Sequence, residues 1–73
     1  MPHRKKIVWR SAKGEVIACV EKHKVLRENL HEIRQVCQDA LEDAVLMGCD
    51  ESQFRSVLAE LVNSLENPYP PKN

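Results

Sequence analysis

The stretch LMGCDESQF, residues 46–54, decides the fold, because it separates two segments of helical hydrophobic periodicity. Gly48 stands where a helix that ends in the left-handed region needs a residue without a Cβ. Asp50, followed three residues later by Gln53, has the pattern of a capping box, in which the carboxylate accepts an otherwise orphaned N–H of the first turn. Cys49 and Phe54 occupy the two positions of a hydrophobic staple across the same start. The stretch reads as a stop and an immediate restart, with one helix ending near residue 47 and the next beginning near 51. A connection this short makes the two helices antiparallel neighbours.

Upstream, Val16, Cys19, His23, Leu26, Leu30, Ile33, Cys37, Ala40, Ala44 and Met47 alternate steps of three and four residues, which is a heptad seam. Opposite it lie Glu21, Glu28, Gln35 and Glu42, all polar. Val36, Leu41, Val45 and Leu46 widen the apolar face in the later turns only, so that end of the helix needs cover from more than one side. Downstream, Phe54, Val57, Leu58, Leu61, Val62 and Leu65 make the apolar face of the second helix, which Asn67 and Pro68 close. The expected fold class is mainly α: an antiparallel two-helix hairpin, with a long helix 1 over about 20–47 and a shorter helix 2 over about 51–66.

Ahead of the hairpin, IVWRSAKGEVIACV (7–20) is rich in β-branched residues around Ser11-Ala12-Lys13-Gly14. That spacing suits a type I turn with Gly14 in the left-handed region, hence a short β-hairpin. A competing reading starts helix 1 at Ser11 as N-cap and carries Gly14 in its first turn, at about 1 kcal/mol. No Ser, Thr, Asp or Asn just precedes Glu21, so a helix beginning near residue 20 lacks an oxygen cap. The reading adopted is a basic extended arm or short β-hairpin before the long helix. Residues 1–6 are then a disordered basic lead, 7–66 a single helical-hairpin domain, and 67–73 (NPYPPKN) a proline-rich flexible tail.

Length bounds the rest. A chain of 73 residues buries so little surface that its core alone rarely supplies more than about 3–5 kcal/mol. Cys19, Cys37 and Cys49 are odd in number and widely spaced, with no apolar leader before them, which suits reduced thiols in a cytoplasmic protein rather than a disulfide framework. No apolar run approaches the roughly 18 residues that cross a membrane, so no membrane partner is expected. The formal charge of zero hides an asymmetry. Residues 1–14 hold Arg4, Lys5, Lys6, Arg10 and Lys13 with no acid, whereas Asp39, Glu42, Asp43, Asp50, Glu51, Glu60 and Glu66 face only Arg55 in 35–66.

Several functions fit parts of this pattern. Residues around 44–57 have the small, apolar and turn positions of a DNA-reading helix-turn-helix, but the surface they offer is Asp50, Glu51, Ser52, Gln53, Arg55, Ser56 and Glu60, whose net negative charge repels phosphate. A hairpin corner needs the same apolar residues merely to pack. Arg4, Lys5, Lys6 and Arg10 surround Trp9, an arm suited to nucleic acid; binding to an acidic helix accounts for the same charges. Cys19 and His23, four apart, have metal-ligand spacing, yet two donors make a site only across a dimer. As core residues they are a small apolar thiol and a polar seam position. No nucleophile with an oriented base and no cofactor motif can be assembled, so no catalysis and no cofactor are expected.

The apolar strip is the stronger clue. Helix 2 is too short to cover helix 1, which leaves Val20, Val25, Leu26, Leu30 and Ile33 for a second chain. The expected function is a non-catalytic accessory or regulatory protein that works by protein–protein interaction, with itself as a homodimer and with an unidentified protein as partner. A nucleic-acid-binding regulator using the arm, and a metal- or redox-responsive dimer, are the other readings.

Overall fold

The computed structural model describes residues 6–70. Two helices carry the regular structure, α1 over Val20–Leu46 and α2 over Glu51–Asn63, and no strand forms among the described residues. The chain divides into two compact units, Met1–Arg34 and Gln35–Asn73, with the boundary inside α1. Arg4, Lys5 and most of the basic lead lie outside the described residues, as does the end of the proline-rich tail.

In the second unit, α1 ends in a Schellman motif. Gly48 has φ +89°; its N–H donates to the Val45 carbonyl at 3.0 Å, and the Cys49 N–H donates to the Ala44 carbonyl at 2.9 Å. These two bonds satisfy carbonyls that the last turn would otherwise orphan. Asp50 then takes the N-cap of α2 in an extended conformation, its carboxylate accepting the Gln53 N–H at 2.8 Å. The reverse leg of the capping box, from the Gln53 side chain, is not formed among these bonds. Burial at the corner falls on Phe54, which is half-buried, while Cys49 is exposed. Ala44 is the buried residue of this unit, with Cys37, Ala40, Leu41 and Leu58 half-buried.

The second helix stops at Asn63, short of the expected residue 66. Ser64 explains the shortfall: its Oγ donates to the Leu61 carbonyl at 2.7 Å, offering the backbone an alternative to the next helical bond. Beyond it, the Asn67 side chain accepts the Tyr69 N–H at 2.9 Å, an Asx turn across Pro68.

In the first unit the turn forms and the strands do not extend. Gly14 has φ +88°, its N–H donates to the Ser11 carbonyl at 2.9 Å, and the Ser11 N–H donates to the Glu15 carbonyl at 2.8 Å. Pairing continues through one antiparallel bridge, Arg10–Val16, and the Ile17 N–H to the Trp9 carbonyl at 2.9 Å, then ends. The segment therefore follows the turn reading at Gly14 without building a ladder, as befits an isolated two-stranded pairing in water. Ser11 is not a helix cap. Its Oγ accepts the Lys13 and Glu15 N–H groups at 3.2 and 3.3 Å, inside the turn, and α1 begins only at Val20.

No heavy atom lies within 4 Å of where a Cβ on Gly48 would stand, so Gly48→Ala tests the backbone alone. It is expected to destabilise the fold by about 1–2 kcal/mol, the penalty of the left-handed region for an L residue, lowering the thermal midpoint by about 4–8 °C per kcal/mol. Asp50→Ala should remove about 1 kcal/mol through the lost cap. Thermal unfolding followed by circular dichroism checks both.

Candidate interaction surface

Along the part of α1 that lies in the first unit, apolar side chains at and beside the seam face water. Val20 is 78% exposed, Val25 and Ile33 54% each, and Leu30 41%; Leu26 is half-buried. All five residues of the anticipated strip fall within this one unit. Among the described residues Ala44, at 3%, is the buried hydrophobic side chain.

A second feature flanks the strip. Lys6 and Trp9, from the segment before the turn, line an open groove with His23, Arg27, His31 and Arg34 of α1. Ile7 and Leu30 contribute apolar wall, and Glu28 and Glu32 also border it. Of the arm residues singled out in the sequence, Lys6 and Trp9 thus reach the groove. Arg10 does not; its Nη1 donates to the Gly14 carbonyl at 3.0 Å and is engaged in the turn.

The groove arginines are the residues that sequence reasoning missed. Helical neighbours lie three and four positions away. Around Arg27 these are Lys24, His23, Leu30 and His31, and around Arg34 they are His31, Leu30, Cys37 and Gln38. Neither arginine has an acid there. Arg55, by contrast, pairs with Glu51 at 2.9 Å, the one ion pair among the described residues. That pairing engages the lone base of the acidic α2 surface and leaves it less suited still to phosphate.

Cys19 and His23 stand four residues apart at the start of α1. The His23 ring nitrogen Nε2 meets the Ile17 carbonyl, which ties the segment after the turn to the first turn of α1. No group of three or more His, Cys, Asp or Glu side chains is gathered in metal-binding geometry among the described residues. Cys19 has a different place: its carbonyl accepts the His23 N–H at 3.1 Å, so it is the N-cap of α1. Foremost the backbone N–H of Lys22 holds its thiol below the usual pKa; desolvation opposes it, and the Glu21 N–H and the Lys22 charge add smaller lowering contributions. The N-cap position thus holds no side-chain oxygen. All three cysteines are free thiols, Cys19 and Cys49 exposed and Cys37 half-buried.

Because folding lowers the Cys19 pKa, the thiolate favours the folded helix start as pH rises, and that contribution is lost as pH falls through the lowered value. Alkylation of Cys19 by iodoacetamide should accordingly reach half its maximal rate at a lower pH in the folded chain than in urea. Peptide mass spectrometry across a pH series reads the difference.

No helix among the described residues is long and apolar enough to cross a membrane. No family model matches the chain, and neither the curated proteins nor the solved structures contain a significant match to it.

Proposed function

We propose that this protein is a non-catalytic accessory or regulatory module that acts through protein–protein contacts and pairs with a second copy of itself along α1. The observation that carries the reading is the exposed strip Val20, Val25, Leu26, Leu30 and Ile33 on a chain with a single buried hydrophobic residue among those described. Rods of different length explain why one chain leaves it uncovered. In an antiparallel hairpin, α2 of 13 residues reaches about 20 Å, and α1 of 27 residues about 40 Å. A stable interface needs roughly 800 Å² from each partner.

Charge supports a head-to-tail arrangement of copies. Residues 1–34 hold nine Lys and Arg against four acids, and residues 35–73 hold two against seven. The basic half of one chain and the acidic half of another are complementary, and like halves repel. An unidentified protein partner would use whatever part of the strip the pairing leaves free.

Sedimentation velocity over a concentration series tests the reading. The chain should sediment as a dimer at tens of micromolar, and Leu30→Asp should weaken pairing more than tenfold, because an unpaired carboxylate in a dehydrated seam costs several kcal/mol. A well-folded monomer at every concentration, or a Leu30→Asp dimer of unchanged affinity, would overturn it.

A further inference from the structure

The groove beside the strip sets an indole among cations, a pairing that burial of the apolar strip does not require. Its three permanent cations, Lys6, Arg27 and Arg34, take part in no ion pair among the described residues. The sequence around the two arginines supplies no acid at helical spacing to neutralise them. Cations left in this state on a short protein are matched by an external anion or by water alone.

Their arrangement favours an extended anion over a compact one. Arg27 and Arg34 are seven residues apart, about 10 Å along α1, with His31 about 6 Å from Arg27 on the same side. Two arginines so spaced can each meet a different phosphate of a repeating backbone, which follows such a row. Trp9 stands in the same groove, half-buried rather than packed away. An indole among guanidinium groups is the pairing that takes unstacked bases and their phosphates together. Glu28 and Glu32 border the groove as well. They repel phosphate, so a strand is confined to the Arg27–Arg34 row.

We propose that this groove binds single-stranded nucleic acid without sequence preference, with phosphates on Lys6, Arg27 and Arg34 and a base stacked on Trp9. A duplex keeps its bases stacked on one another and has none to offer the indole. An acidic polypeptide meets the charges and leaves the indole unused. The assignment does not depend on dimerisation, since Leu30 alone is shared by the groove and the apolar strip.

The experiment uses the full chain and a fluorescein-labelled 20-nucleotide oligothymidine. At 50 mM salt, anisotropy should rise on titration, and the emission of Trp9, the sole tryptophan, should be quenched. Three phosphate contacts predict a log–log salt slope of about −2. Arg27→Glu with Arg34→Glu, at two exposed helix positions, should weaken binding at least tenfold while helicity stays as in the parent chain. Trp9→Leu should weaken it at least fivefold, the low end for one stacked base. The proposal is overturned by absent binding at 100 µM protein, by unchanged affinity in the double arginine variant, or by a 20-base-pair duplex or polyglutamate binding as tightly as the single strand. Loss of sedimentation as a dimer with oligonucleotide binding intact would count against the pairing reading and leave this one standing.

Discussion

Water-exposed apolar surface on α1 is the constraint from which the other features follow. The helix satisfies its own backbone hydrogen bonds, so its existence needs no neighbour. Its seam does need one, because each apolar side chain left in water forgoes on the order of 1.5–3 kcal/mol of burial. In the second unit that need is partly met around Ala44, with Leu41, Phe54 and Leu58 half-buried. In the first unit the additional chain among the described residues is a turn segment closed by a single bridge. That segment contributes Trp9 and Ile17 as half-buried residues and leaves Val20, Val25 and Ile33 more than half exposed.

Two local devices hold this arrangement in place. The paired bonds at Ala44 and Val45, followed at once by the Asp50 cap, stop one helix and start the next within four residues. At the other end of α1, Cys19 caps the first turn and His23 secures the preceding segment through the Ile17 carbonyl. Neither device contributes much buried area. Both fix where the chain changes direction, and so which side chains share a surface.

Much of this was legible in the sequence because it is written in short-range rules. The end of α1 follows from a glycine and the start of α2 from an acid three residues ahead of a glutamine, whereas the seam runs back to Val16 and does not mark the start of α1 at Val20. The end of α2 was misjudged because the apolar pattern continues through Leu65, whereas Ser64 Oγ competes locally for the Leu61 carbonyl. Between a hairpin and a longer helix, the segment 7–19 follows the glycine turn that the spacing around Gly14 indicates, and stops at one bridge short of a strand ladder. For the groove, Lys6 and Trp9 could be singled out by composition. Arg27, His31 and Arg34 could not, because three positive or neutral residues on a helix gain meaning only when an aromatic from another segment is set beside them.

The cancellation of charge has a colloidal consequence. With a pI near 6.8 the molecule carries almost no monopole at neutral pH, so long-range repulsion does little to keep copies apart. What remains is attraction between oppositely charged regions, which ions attenuate over a Debye length of about 10 Å at 0.1 M. Such a protein salts in: dilute electrolyte disperses it, and deionised buffer near neutrality is where it is least soluble.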